Sequence, residues 1–111
     1  MNHLTVHDQT VALDKDGYLL NLADWSETVA ESLAQREGIE LSAEHWEILQ
    51  LARGFYDEFQ LSPANRPLIK YVASQLGPDK GNSLHLNRLF NGAPAKLAAK
   101  LAGLPKPTNC L

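Results

Sequence analysis

A lone cysteine close to the C-terminus is the strongest nucleophile that this sequence offers. Cys110 is the penultimate residue, in the run Gly103-Leu104-Pro105-Lys106-Pro107-Thr108-Asn109-Cys110-Leu111. A thiol reacts as its thiolate, which can attack another sulfur atom and exchange it. Because there is no second cysteine, the chain cannot form an internal disulfide. The sequence therefore predicts a free thiol whose chemistry involves another molecule.

The residues before Cys110 predict an extended arm. Pro105 and Pro107 each fix φ and lack a backbone donor, and each residue that precedes a proline is also driven to extended geometry. The seven residues from Pro105 to Leu111 span at most about 23–25 Å, at roughly 3.3–3.6 Å each. An incidental cysteine on a frayed tail is the alternative. The stiff approach favours one domain, residues 1–103, with a mobile arm, residues 104–111, that carries the thiol into a partner.

Charge is distributed unevenly along the 111 residues, a length that suits one domain. Residues 1–79 contain five Lys or Arg and all thirteen Asp or Glu, whereas residues 80–111 contain five Lys or Arg and no acid. Two solvent-exposed faces of opposite net charge would explain this distribution. The alternative is an acidic partner that docks near the cysteine. Lys96 and Lys100, one helical turn apart, and Lys106 are the predicted docking residues.

Composition and motifs exclude several classes of function. There is no apolar run long enough to span a membrane and no signal-peptide pattern at the N-terminus, so we expect a cytoplasmic protein. The four histidines, His3, His7, His45 and His85, lack the spacing of a zinc site, and no phosphate-binding loop or catalytic triad is present. We expect no metal and no cofactor. His45 or His85 would be a base for Cys110 only if the fold brought it there.

The pattern of apolar residues predicts a mainly α fold (α+β), with a small N-terminal β-hairpin and a compact bundle of about five helices. Residues 11–13 and 18–20 alternate around a turn at 14–17, which indicates the hairpin. Asp24 and Glu27 have capping-box spacing for the first helix, which Gly38 ends. Ser42 caps a long second helix, which we expect to be central.

Three further helices are predicted, each with its own start and stop signals. Prolines near residues 62–67 begin the third, Asn82 or Ser83 caps the fourth, and Pro94 begins the fifth. The second and third helices would form a helix-turn-helix in which the third carries Arg66 and Lys70. A DNA-binding domain of this size is usually basic, and this chain carries a net charge of −3. We therefore expect no direct DNA binding.

The tail motif Gly-Leu-Pro-Lys-Pro-x-x-Cys-Leu resembles that of the TusE/DsrC family of sulfur-relay proteins. Further segments of this chain that resemble the family are Asp16-Gly17-Tyr18-Leu19, Leu41-Ser42-x-Glu44-His45-Trp46-Glu47, Ser62-Pro63-Ala64-x-Arg66, Lys80-Gly81-Asn82-Ser83, Leu89-Phe90 and Pro94-Ala95-Lys96. The resemblance implies a small, mainly helical fold with an N-terminal hairpin and a mobile arm. It also implies that Cys110 carries a persulfide, which makes the protein a sulfurtransferase.

Within this family, the resemblance favours the TusE branch. The DsrC branch, which works with dissimilatory sulfite reductase, has a second cysteine eleven positions before the penultimate one, and this chain has Ala99 there. The TusE branch takes sulfur from the TusBCD complex and passes it toward the tRNA thiouridylase MnmA, for 2-thiouridine at the wobble position. A DsrC-like protein of another sulfur pathway and a non-catalytic binding or regulatory module remain as alternatives.

Overall fold

The computed structural model describes residues 2–108 of the chain. This range forms two strands and five α-helices. The strands are β1 (Asn2–Val6) and β2 (Gln9–Leu13), and the helices are α1 (Glu27–Arg36), α2 (Ala43–Phe59), α3 (Asn65–Leu76), α4 (Ser83–Leu89) and α5 (Pro94–Leu101). A short 3₁₀ turn, Leu22–Asp24, precedes α1. The predicted fold class, a helical bundle with a small N-terminal hairpin, is confirmed.

The hairpin lies earlier in the chain than the sequence pattern predicted. β1 and β2 pair antiparallel, and the two residues between them, His7 and Asp8, both have positive φ (47° and 68°). Such a two-residue turn matches the twist of the strands it joins. The predicted pairing of residues 11–13 with 18–20 is reduced to a single bridge between Leu13 and Leu19. That prediction was wrong in position, because the turn that joins the two paired strands lies at His7-Asp8.

The N-cap of the first helix lies two residues after the predicted one. Ser26 is the N-cap residue of α1, and its Oγ accepts a hydrogen bond from the N–H of Val29 (3.2 Å). Asp24, the predicted cap, belongs instead to the 3₁₀ turn, in which the side chain of Asn21 accepts from Ala23. The predicted end of α1 is confirmed, because Gly38 follows it with φ +73°.

Ser42 caps α2 as predicted, with an unusual partner in the capping box. The Oγ of Ser42 accepts from the N–H of His45 (3.4 Å), and Nδ1 of His45 accepts from the N–H of Ser42 (3.1 Å). Glutamate or glutamine usually takes the reciprocal position. Nε2 of His45 lies 2.7 Å from the carbonyl oxygen of Leu89, so the Nε2–H form satisfies both contacts. This buried histidine therefore links α2 to the end of α4.

The last helix, α5, is the centre of the bundle. It packs against α1, α2, α3 and α4, and six of its eight residues are buried. We predicted that α2 would have this place because it is the longest helix. The small residues of α5, Ala95, Ala98 and Ala99, explain the difference, because they allow neighbouring backbones to come close on several sides. The helix that precedes the cysteine arm is thus held from all directions.

Candidate functional site

Cys110, the predicted catalytic residue, lies outside the described residues, which end at Thr108. The structure instead defines the part of the chain from which the thiol is presented. We call residues 101–107 the arm root. It runs from the last residue of α5 through both prolines of the tail.

A Schellman motif ends α5 and turns the chain into the arm root. The N–H of Leu104 donates to the carbonyl of Ala99 (2.9 Å), and the N–H of Gly103 donates to that of Lys100 (3.2 Å). Gly103 has φ +75°, in the left-handed region. A Cβ atom at this position would lie 2.3 Å from Cδ1 of Trp25. Both its backbone conformation and its contact with the indole therefore require glycine.

Two side chains satisfy the next carbonyls of this helix end. Nε1 of Trp25 donates to the carbonyl of Leu101 (2.9 Å), and Nη1 of Arg53 donates to that of Ala102 (2.7 Å). The guanidinium of Arg53 also lies over the indole of Trp25, 3.9 Å from the ring centre. A helix leaves its last carbonyls without helical partners. Here backbone donors and these two side chains satisfy them, which fixes the direction in which the chain leaves α5.

The arm root stays in contact with the body of the protein as far as Pro107. Leu104 is only 3% exposed, the Oγ of Ser62 donates to the carbonyl of Pro105 (2.6 Å), and Pro107 is buried. We predicted that the arm begins at residue 104. Within this segment Leu104 and Pro107 are buried and Ser62 satisfies the carbonyl of Pro105, whereas Pro105 and Lys106 are exposed. Whether residues 104–111 move stays a prediction.

The three predicted docking lysines line one cavity of about 420 Å³ beside the arm root. Lys96 and Lys100 reach it from α5, and Lys106 reaches it from the arm root. The remaining lining residues are Asp16, Tyr18, Glu37, Asn91, Ala93 and Leu97. The fold therefore places Lys106 beside Lys96 and Lys100, which helical spacing already put on one face of α5.

Two of these lysines already have carboxylate partners. Nζ of Lys100 lies 3.0 Å from a carboxylate oxygen of Glu37, and Nζ of Lys106 lies 3.5 Å from one of Asp16. Lys96 is exposed and makes no ion pair within residues 2–108. The positive charge available to an approaching partner is therefore concentrated at Lys96.

Neither candidate histidine is brought to the arm root. His45 and His85 are both buried near the first turns of their helices, and the guanidinium of Arg88 lies 3.3 Å from Nδ1 of His85. Arg53, which contacts the arm root, is eight residues after His45, or about 12 Å along α2 at 1.5 Å per residue. His45 joins α2 to the end of α4, and His85 lies near Arg88 and Glu44. Within residues 2–108, neither histidine forms a hydrogen bond or ion pair with the arm root.

Sequence reasoning missed Trp25, Arg53 and Ser62, the side chains that hold the arm root. Trp25 precedes α1 and is only half-buried. The sequence contains one indication for Arg53. This arginine directly follows Ala52, which lies on the buried apolar face of α2, so a contact between Arg53 and another element could have been expected. Nothing in the local sequence links Ser62 to a carbonyl that is forty-three positions away.

Two further observations limit the function of the described part of the chain. Among residues 2–108, no three His, Cys, Asp or Glu side chains come close enough together to hold a metal ion. No helix in this range is long and apolar enough to cross a membrane.

The family model described as "DsrC like protein" matches residues 5–111, which includes the arm root and Cys110. The chain belongs to the DsrC-like family. Its sequence is 52% identical to the "Sulfurtransferase TusE homolog" of Haemophilus influenzae, over 97% of this chain and 99% of that protein. It is 50% identical to "Sulfurtransferase TusE" of Salmonella choleraesuis, with the same coverage.

Solved structures of DsrC proteins share the fold of this DsrC-like chain. The NMR structure of Allochromatium vinosum DsrC has a TM-score of 0.90 and 45% identity, covering 99% of this chain and 98% of that one. The oxidized DsrC, or gamma-subunit of dissimilatory sulfite reductase, of Archaeoglobus fulgidus has a TM-score of 0.86 and 37% identity, covering 99% and 100%. Ala99, where the resemblance places a second cysteine of the DsrC branch, is 1% exposed within α5.

Proposed function

We propose that this DsrC-like protein is a sulfurtransferase of the relay type, which carries sulfur as a persulfide on Cys110. One observation carries the proposal: the only thiol of the chain lies three residues beyond an arm root that three side chains and a Schellman motif hold in place. The length of the chain keeps a group at such a position within about 10–11 Å of Pro107, at roughly 3.3–3.6 Å per residue. The TusE names of relatives that match over nearly their full length support the same conclusion.

The proposed chemistry is an exchange between a thiolate and a persulfide. The Cys110 thiolate attacks the outer sulfur of a donor persulfide, a new S–S bond forms on Cys110, and the S–S bond of the donor breaks. The donor cysteine leaves as a thiolate, so the step needs no external oxidant or reductant. A second exchange of the same kind passes the outer sulfur to the acceptor. One cysteine is sufficient for both steps.

The arm root limits how far the thiol travels while it stays docked. Cys110 is three positions after Pro107, which is at most about 10–11 Å at roughly 3.3–3.6 Å per residue. Release of the arm root as far as Pro105 extends the reach to about 17–18 Å on the same basis. Partners must therefore present their own sulfur close to the body. This protects the persulfide from other thiols during transfer.

The more specific part of the proposal is that the relay serves tRNA thiolation. In this proposal a TusBCD-type complex is the donor, and an MnmA-type tRNA thiouridylase is the acceptor for 2-thiouridine at the wobble position. The exchange takes place in the reducing cytosol, where the thiol stays free. Lys96, Lys100 and Lys106 dock the acidic part of a partner beside the arm root. The single cysteine and the TusE names of relatives at 50–52% identity support this branch.

A role in another sulfur pathway is the second candidate. The high structural similarity to DsrC proteins favours it, and two of these are named as subunits of dissimilatory sulfite reductase. Ala99 argues against chemistry that needs two cysteines in one chain. The third candidate, a non-catalytic binding module, predicts that the thiol is dispensable.

Transfer of labelled sulfur distinguishes these candidates. We expect wild-type protein to accept ³⁵S from a loaded TusBCD-type complex and to pass it to an MnmA-type enzyme with its tRNA. Cys110→Ser should abolish both steps and leave the unfolding midpoint unchanged, because the residue lies beyond the packed arm root. Normal transfer through Cys110→Ser would refute the relay. Acceptance of sulfur without transfer to the MnmA-type enzyme would favour the other sulfur pathway.

A further inference from the structure

An exposed apolar surface lies at the C-terminal end of α2. Phe59 is 48% exposed and Leu61 is 54% exposed. Phe55 supports this surface from below, with its ring centre 4.6 Å from that of Phe59 and 5.3 Å from that of Tyr71 on α3. We call Phe55, Phe59, Leu61 and Tyr71 the α2-end patch. Large apolar side chains that cluster at the surface often mark a contact with another protein.

The α2-end patch borders the arm root. Leu61 immediately precedes Ser62, and the Oγ of Ser62 donates to the carbonyl of Pro105 (2.6 Å). From Pro105 to Cys110 the chain extends at most about 17–18 Å, at roughly 3.3–3.6 Å per residue. A protein that exchanges sulfur with Cys110 must therefore lie over the surface that surrounds Pro105. The α2-end patch is part of that surface.

We propose that the α2-end patch is the docking surface for the protein that donates sulfur to Cys110. The inference rests on the proposed relay and adds the surface that the donor recognises. The matching donor surface has apolar side chains around the mouth of its reactive cysteine. Phe59 and Leu61 become buried there, while Pro105 guides the arm toward the donor sulfur.

Charge favours the donor over a tRNA-bound acceptor. From residue 54 to residue 65 the chain carries two acidic residues, Asp57 and Glu58, and no lysine or arginine. Both acidic residues are exposed in the last turns of α2, beside Phe59. Carboxylates repel the phosphates of a nucleic acid and attract basic residues. A donor with basic residues around its apolar rim therefore fits this surface better than an acceptor that holds tRNA.

The test compares transfer from a protein donor with transfer from a small donor. We would measure the second-order rate constant for ³⁵S transfer to Cys110 from a loaded TusBCD-type complex and from glutathione persulfide. Phe59→Ser and Leu61→Ser are the test variants, and unfolding midpoints show that each is folded. Leu84→Ser is the control, because Leu84 is 76% exposed and lies on α4, whose His85 is near Glu44 at the other end of α2.

We expect each test variant to lower the rate from the protein donor by about tenfold, the size of a moderate hot-spot effect. The rate from glutathione persulfide should stay at the wild-type value, because that donor needs no docking surface. Leu84→Ser should match wild type with both donors. If Phe59→Ser does not fold, Leu61→Ser decides the test, since its side chain is more than half exposed.

Two results would overturn the inference and leave the relay intact. One is a wild-type rate from the protein donor in both test variants. The other is a normal donor rate with slower transfer to the MnmA-type acceptor, which would assign the patch to the acceptor. Failure of wild-type protein to take sulfur from either donor would instead refute the relay, and the docking inference with it.

Discussion

The guanidinium of Arg53 lies 3.9 Å from the ring centre of Trp25, and the two side chains donate to consecutive carbonyls at the end of α5. The pair joins the segment before α1, the middle of α2 and the start of the arm root. An arginine stacked on an indole adds a cation–π attraction to the two hydrogen bonds. The chain therefore leaves α5 from a fixed point and in a fixed direction.

Substitution of Gly103 by alanine should destabilise the protein more than the same change at Gly38. Both glycines follow a helix in a Schellman motif, with φ of +75° and +73°, but only Gly103 contacts another side chain, that of Trp25. Gly38→Ala should cost about 1 kcal/mol for the backbone conformation. Gly103→Ala should cost about 1–3 kcal/mol more, as overpacking does. Urea unfolding measures both, and equal losses would show that the indole contact is unimportant.

Loss of the indole N–H at Trp25 should leave the carbonyl of Leu101 without its donor. We expect Trp25→Phe to cost about 1 kcal/mol more than Trp46→Phe, which is the net value of one hydrogen bond. Trp46 is also half-buried, and its Nε1 has no hydrogen bond within the described range. The thermal unfolding midpoints of the two variants give this comparison. Equal midpoints for the two variants would contradict a clamping role for Trp25.

Reversal of the charge at Lys96 should slow docking of an acidic partner. We expect Lys96→Glu to lower the rate of sulfur transfer with that partner about threefold to tenfold at low salt. The decrease should become smaller at higher salt, because salt screens the charge. Lys70→Glu is the matched control, because it makes the same charge change on the exposed surface of α3. Stopped-flow transfer rates from low to high ionic strength test this. Equal salt dependence in the two variants would remove Lys96 from the docking surface.

Stability should fall at alkaline pH through the ion pair of Lys80. Nζ of Lys80 lies 2.6 Å from Oε1 of Glu47, and this hydrogen bond raises the pKa of Lys80 above its ordinary 10.5. The unfolded chain thus loses this proton at lower pH than the folded one. The contribution is complete below pH 10.5 and disappears as pH rises through the folded pKa.

Denaturant midpoints between neutral pH and pH 11 measure the effect of this ion pair. Lys80→Met should remove part of the alkaline decline, whereas Lys70→Met, on an exposed lysine without an ion pair in residues 2–108, should not. The prediction fails if the denaturant midpoints of both variants fall with rising pH as much as that of the wild type.

Helix boundaries were the most predictable part of the fold, because their signals are local. Ser42 and Asn82 cap α2 and α4 as their side chains predict, and Gly38 ends α1. The hairpin was misplaced because a turn at His7-Asp8 needs positive φ at two residues that are not glycine. Such turns carry a weak sequence signal.

Only part of the candidate site can be read from the sequence, and the reactive role of Cys110 stays a prediction. The proline-stiffened tail and its cysteine are visible in the sequence, and so are the lysines that line the cavity. The central position of α5 was not, because it depends on four other helices packing around small residues. The contacts of Trp25, Arg53 and Ser62 with the arm root join residues 43–76 positions apart, which no local pattern encodes.

Mass spectrometry of the tail peptide tests the central claim most directly. The protein is incubated with a loaded persulfide donor, thiols are alkylated, and the peptide that contains Cys110 is analysed with and without reductant. The relay predicts a gain equal to the mass of one sulfur atom on this peptide, and reductant should remove it. A peptide that keeps its unmodified thiol mass while the donor loses its sulfur would contradict the account.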